Sequence, residues 1–136
     1  MRILHCATEL LCQSGGVFGV LARGVPPGLG SHAHWDRRLD ALLGGALLSI
    51  QAVKAVSVGE GIEGAARRGS EHHDEILWDA ERAAFHRPTN RAGGIEGGTT
   101  NGQPVVVRAA MKPIPTTLTP QRSIDLATGV DVGVDD

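Results

Sequence analysis

From residue 93 to residue 102 the chain reads Gly93-Gly94-Ile95-Glu96-Gly97-Gly98-Thr99-Thr100-Asn101-Gly102. Glycine is costly inside helices and strands alike, so this run cannot be a regular element and is expected to be a loop. Just beyond it, Pro104 to Met111 is a β-branched stretch that reads as a strand. A second stop follows in Lys112-Pro113-Ile114-Pro115-Thr116, because both prolines lack the donor a central strand needs. Short extended elements punctuated by loops are therefore the theme, and the nineteen glycines among 136 residues extend it to the whole chain. With only Phe18, Trp35, Trp78 and Phe85 as aromatic residues, the core must be built from Val, Leu, Ile and Ala, which bury less area per side chain.

The remaining elements follow from periodicity and punctuation. Val17 to Ala22 reads as a buried strand, closed by the rigid turn Gly24-Val25-Pro26-Pro27-Gly28. From about His34 to Gln51, Leu39, Leu42, Leu43, Ala46, Leu47 and Ile50 fall on one face of an α-helix. Ser31 is its candidate N-cap, and Asp36 suits the dipole at its start. Gly44-Gly45 inside it costs about 1 kcal/mol per glycine relative to alanine, so either a neighbour approaches that face closely or the helix is weakened there. Val53 to Val58 reads as a strand, Glu63 to Arg68 as a short helix or turn, and 79–92 as polar and irregular. The tail after Gly129, with Asp131, Asp135 and Asp136, is expected to fray. Length and composition make one domain the default.

Thirteen Lys and Arg against fifteen Asp and Glu produce no large positive field, which argues against nucleic acid or an anionic membrane as partner. No apolar run approaches the roughly 20 residues of a membrane span, and the opening MRILHCATELLCQSGG makes a poor secretory signal. Cys6 and Cys12 provide no disulfide framework for the body of the chain, in keeping with a reducing cytosol. The expectation is a soluble, cytoplasmic protein. Neither His32-Ala33-His34 nor His72-His73-Asp74-Glu75 has a metal-binding spacing, and Cys6, Cys12 and His5 are too sparse, so no metal is expected.

Small-molecule chemistry stays open. The glycine loop offers backbone N–H groups that can cradle a phosphate or lie against a planar ring. It lacks the Lys-Ser/Thr ending of a P-loop and the Gly-x-Gly-x-x-Gly order of a dinucleotide fold, so by itself a structural turn is the simpler reading. Lys112, between a strand and two prolines, suits anion binding and suits a solvated surface equally well. Arg67-Arg68 suits an anion too, although beside Glu71, Asp74 and Glu75 an ordinary salt-linked surface is the plainer account.

Read whole, three strings resemble the C-terminal half of chorismate synthase: GVPPGLGSHAHWDRRLDALLGGALLSIQAVKAVSVGEG, then RRGSEHHDEI, then TNRAGGIEGGTTNGQPVVVRAAMKPIPTTLTPQRSIDLATG. The resemblance covers about Gly15 to Gly129, with 1–14 unmatched and 130–136 a tail. It implies an α+β fold, part of a βαβ sandwich in which a helical layer packs with antiparallel sheet, in a homotetramer. It further implies a lyase that converts 5-enolpyruvylshikimate 3-phosphate to chorismate by 1,4-elimination of phosphate, with reduced FMN as cofactor. An NADP-linked flavin reductase activity is left open.

Carried over by motif, Gln51 and Ala52, Gly97, and Lys112, Pro113, Ile114, Pro115 and Thr116 are the implied flavin contacts. Thr89-Asn90-Arg91, Arg68-Gly69-Ser70 and Asp74-Glu75 are implied to shape the site. If both loops face one flavin, 93–102 and 112–116 should form one continuous surface. The family's Gly-Glu-Ser-His opening, substrate-gripping arginines, Arg-Ala-Ser flavin motif and catalytic histidines have no counterpart here, nor does its Arg-Ser-Asp-Pro segment. No catalytic residue is therefore assigned, and the chain alone is expected to be inactive. A residual FMN-binding module and a non-functional truncation product are the alternatives. Gly44-Gly45 and Ala55 depart from the family pattern without touching the implied contacts.

Overall fold

The computed structural model describes residues 15–113 and 121–134. Its centre is a three-stranded antiparallel sheet of β1 (Gly16–Ala22), β2 (Val53–Val58) and β7 (Val105–Met111), ordered β1-β7-β2. The chain enters β7 last, yet β7 lies in the middle. Its register runs from Gly16 opposite Met111 to Ala22 opposite Val105 on one side. On the other side it runs from Val53 opposite Met111 to Val58 opposite Val107, with an irregularity between Val53 and Ala55. The β-branched run that marked this segment as a strand also supplies the core, because Val105, Val107 and Ala109 alternate onto one face and are buried.

Against that face lies α1 (Leu39–Leu48), which packs Leu39, Leu43 and Leu47 on Ile95, Val105 and Val107. These three leucines are four apart and form a single stripe. The apolar face legible in the sequence is wider than the one used: Leu42 and Ile50 remain exposed among the described residues. The helix also begins later than its periodicity predicts. A 3₁₀ turn, Trp35–Arg37, is followed by Arg38 in an extended conformation, so the α-helix starts only at Leu39. Ser31 caps neither element, and its hydroxyl instead accepts from the Ala33 N–H at 3.2 Å. What fixes the helix start is tertiary: the Leu39 N–H donates to the Gly98 carbonyl at 2.9 Å.

The polar segments are more ordered than the sequence suggests. After α2 (Ile62–Ala65) and α3 (Gly69–His72), β4 (Ala84–His86), inside the stretch 79–92 expected to be irregular, pairs as a hairpin with β3 (Leu77–Asp79) at its edge. Trp78 and Phe85 meet across it edge to face at 5.0 Å between ring centres. Three-residue strands are too short to leave a period-two signature. The glycine run folds as β5 (Ile95–Glu96) and β6 (Thr99–Thr100), joined by Gly97 and Gly98 with φ of 60° and 88°. Two successive left-handed residues make the tight hairpin turn that only such a pair supports without strain. Finally β8 (Gln121–Ile124) pairs with β9 (Asp131–Val134), where fraying was expected. The Asp125 carboxylate closes that turn by accepting from the Ala127 and Thr128 N–H groups, and Arg122 pairs with Asp131 across the strands. The result is the expected α+β arrangement, a helix packed on antiparallel sheet.

Candidate functional site

Two segments sixty residues apart in the predicted flavin contacts meet at one corner of the sheet. Gln51 and Ala52 form the turn between α1 and β2, and pairing of β2 with β7 brings the end of β7 beside them. The Lys112 N–H donates to the Ala52 carbonyl at 2.8 Å, and the Val53 N–H to the Ile50 carbonyl at 3.2 Å. Ala52 is held at φ 68°, a region that costs a non-glycine residue about 1–2 kcal/mol. Such a conformation persists only where surrounding bonds over-determine it. Pro113 completes the corner against Gly15, at which an added Cβ would lie 3.1 Å from the proline ring. The Gln51 and Lys112 side chains are exposed, and Lys112 has no salt-bridge partner among the described residues. Ile114, Pro115 and Thr116 lie outside the described residues.

Gly97 is elsewhere. It forms the tip of the β5–β6 hairpin, exposed, with nothing within 4 Å of where a Cβ would sit. The hairpin itself is firmly seated. Buried Thr100 donates its hydroxyl to the Pro26 carbonyl at 2.7 Å and accepts from the Leu29 N–H at 2.9 Å. A Cβ on Gly98 would lie 2.7 Å from the Ser31 carbonyl and 2.8 Å from the Arg38 side chain. Gly98 bonds the N-terminus of α1 while Ala52, beyond the C-terminus, bonds Lys112. A ten-residue helix, about 15 Å long, thus separates the two. These contacts put Gly97 near the start of α1 and Lys112 near its end, because the strand between them is extended and carries its two ends apart.

A third place emerges that sequence reasoning reached only as site-shaping motifs. A polar cavity of about 510 Å³ is lined by Gly59, Glu60, Arg67, Thr89, Asn90, Arg91, Val106 and Arg108. Its wall is built on Asp74, whose carboxylate accepts from the Thr89 hydroxyl at 2.5 Å and from the Arg91 and Ala92 N–H groups at 2.8 and 2.9 Å. Burial pushes the Asp74 carboxyl up, but these bonds, with the Arg91 charge, outweigh it and hold the group below its ordinary value. Glu60 gathers the cations: its carboxylate lies 2.9 Å from Arg67 Nε, 3.3 Å from His72 Nδ1 and 3.7 Å from Arg91 Nε. The Asp74 and Asn90-Arg91 motifs were visible in sequence, but their convergence with Glu60 and Arg108 was not. Among the described residues no His, Cys, Asp or Glu cluster could hold a metal ion, and no helix is long and apolar enough to cross a membrane.

A family profile described as chorismate synthase matches residues 6–135. The chorismate synthase of Desulforudis audaxviator is 65% identical over 114 residues, 84% of this chain and 29% of that protein. That of Symbiobacterium thermophilum is 62% identical over 117 residues, 86% of this chain and 30% of that protein. A solved structure described as a crystal structure of chorismate synthase is similar with a TM-score of 0.72 and 58% identity, over 76% of this chain and 31% of that one. The chain therefore spans about 30% of the length of the curated relatives it matches.

Proposed function

The chain belongs to the chorismate synthase family, and from that premise we propose that it supplies flavin contacts to a lyase that forms chorismate from 5-enolpyruvylshikimate 3-phosphate. The observation that carries this reading is the corner where Lys112 bonds Ala52. A turn locked in a left-handed conformation, an exposed glutamine and an exposed lysine converge there from separate parts of the chain. Such a corner fits an anionic, partly planar ligand: backbone polar groups and the Gln51 amide suit ring heteroatoms, and the Lys112 ammonium suits a phosphate. Gly97, with open space where a Cβ would stand, joins as a separate contact on which a ring can lie close to the backbone. Ile114, Pro115 and Thr116 complete the proposed set by continuity with Lys112 and Pro113.

Reduced FMN, when bound, supplies the electron density that helps phosphate leave. The share of the present residues is to bind and orient, which in such sites removes much of the entropic barrier. No residue of this chain is assigned a proton-transfer role. We place the assembled enzyme in the cytoplasm as a homotetramer; an NADP-linked flavin reductase activity is not part of the proposal. The chain spans about 30% of its relatives, and flavin binding is the activity to seek in it.

An anaerobic FMN titration, followed by flavin fluorescence, tests the reading. Lys112→Ala should weaken FMN binding by about 1.5–3 kcal/mol, the worth of a charge-assisted hydrogen bond. Equal affinity of variant and parent would remove Lys112 from the site. No saturable binding by the parent would favour the reading as a non-functional product.

A further inference from the structure

The β5–β6 hairpin is followed at once by Asn101-Gly102, and the chain has one other asparagine, Asn90, which precedes Arg91. An asparagine carboxamide lies within reach of the backbone nitrogen that follows it, and a glycine there leaves no Cβ in the way of attack. We propose that Asn101 is a site of spontaneous covalent modification, converting to aspartate and isoaspartate through a cyclic imide with the Gly102 nitrogen, and that the seated hairpin holds this reaction in check. The proposal stands whether or not Gly97 touches a flavin.

The nucleophile argues first. Gly102 is exposed, its φ is 88°, and its N–H donates to no acceptor among the described residues. Such a nitrogen is free to give its proton to solvent base and attack. Asn90 is the contrast within the same chain, because the nitrogen after it, that of Arg91, donates to the Asp74 carboxylate at 2.8 Å and belongs to a residue with a bulky side chain.

The restraint argues second. The Asn101 carboxamide is pinned at both ends: Oδ1 accepts from the Gln103 N–H at 2.9 Å, and Nδ2 donates to Glu96 Oε2 at 3.0 Å. Arg87 Nη2 donates to the same Glu96 oxygen at 2.7 Å and keeps that carboxylate in place. The backbone leading to the site is tied as well, the Asn101 N–H to the Gly94 carbonyl at 3.0 Å and buried Thr100 to Pro26 and Leu29. Ring closure needs the carboxamide to turn and the backbone at 101–102 to bend into a flat imide. It therefore proceeds from the minority of molecules in which the hairpin has opened locally.

Water is the one co-reactant. The Gly102 nitrogen, its proton lost to solvent base, bonds to Asn101 Cγ; the Cγ–Nδ2 bond breaks, and Nδ2 takes up a proton and departs as ammonia. Water then opens one or the other carbonyl of the imide, giving aspartate or isoaspartate. Each product sets a carboxylate where an amide donated to Glu96, and like charges at that distance repel. Isoaspartate also adds a carbon to the main chain just after Thr100, beside the bonds that seat the hairpin.

The test is peptide mapping by mass spectrometry, with isoaspartate quantified separately, on the purified chain held in mildly alkaline buffer with and without concentrated guanidinium chloride. Conversion is expected at Asn101 well ahead of Asn90, faster as pH rises, and at least about tenfold slower in the folded chain than in denaturant. Glu96→Ala should speed conversion in native buffer about tenfold, the change in open population that loss of one hydrogen bond to a charged group brings, and should match the parent in denaturant. Glu96→Gln keeps an acceptor for Nδ2 and should return the native rate toward that of the parent. Absence of conversion at Asn101 in denaturant overturns the site. Equal rates in folded and denatured chain overturn the restraint, and a native rate unchanged in Glu96→Ala, or raised equally in Glu96→Gln, overturns the part given to Glu96.

Discussion

Asp74 ties the segment Thr89 to Ala92 to the chain fifteen residues before it. One carboxylate satisfies the Thr89 hydroxyl and two backbone N–H groups, at Arg91 and Ala92. Replacing it by asparagine exchanges an oxygen acceptor for a donor and removes the charge. Asp74→Asn is therefore expected to destabilise the fold by about 1–3 kcal/mol, measurable by urea denaturation. The direction of its pH dependence follows from the lowered carboxyl. A group more acidic in the folded than in the unfolded chain stabilises fully above its unfolded value of about 3.8 and loses that contribution as pH falls through the lower folded value. Acid unfolding of the parent should therefore steepen below about pH 4, and the variant should lack that part of the curve. An identical acid limb in both proteins would contradict the assignment.

At the scale of elements, α1 shows how loosely a periodic pattern constrains packing. The notable pair Gly44-Gly45 was compatible with a close neighbour or with a weak spot. In the structure a Cβ at either position has nothing within 4 Å, so among the described residues no close approach needs the glycines. Gly45 is exposed and helical. Gly45→Ala should accordingly stabilise the chain by about 0.5–1 kcal/mol, through helix propensity and a less flexible unfolded state, seen as a higher urea midpoint with unchanged slope. A loss of stability would mean that something packs on this face. The start of α1 carries the opposite lesson: Arg38 is extended and Leu39 is bonded to Gly98, so the glycine hairpin, and not Ser31, decides where the helix begins.

At the scale of the whole molecule the core is thin. Only Val53, Ile95, Val105, Val107 and Ala109 are buried hydrophobics among the described residues, while Trp35, Trp78, Phe85 and Ile62 are largely exposed. Apolar burial is the main favourable term in folding, so the described residues have little stability to draw on, and among them nothing pairs with the outer edges of β1 and β2. Function is divided in a similar way under the proposed reading. Supplied anaerobically with reduced FMN and 5-enolpyruvylshikimate 3-phosphate, the purified chain should form no chorismate. Proton transfer alone typically contributes about 10²- to 10⁴-fold in rate, and the proposed reading assigns that role to no residue of this chain. Chorismate above a protein-free blank, and dependent on FMN, would show that the division of labour is different.

Local chemistry is what the sequence by itself determined: Val53 to Val58 and nearly all of Pro104 to Met111 as strands, and the stop at Lys112-Pro113, whereas the glycine run 93–102, expected to be a loop, pairs as the β5–β6 hairpin. The family was legible as well, because long motifs in fixed order survive without any knowledge of geometry. Tertiary structure decided the rest. It put β7 between β1 and β2, set Ala52 beside Lys112, and sent Gly97 to the far end of α1. It also folded Trp78 and Phe85 into a hairpin too short to leave a periodic trace. Above all it gathered Glu60, Arg67, Asn90, Arg91 and Arg108 around one cavity. Patterns of three or four residues report what a segment prefers within itself; which segments meet is settled by non-local pairing and by burial shared between them, and no local pattern encodes that meeting.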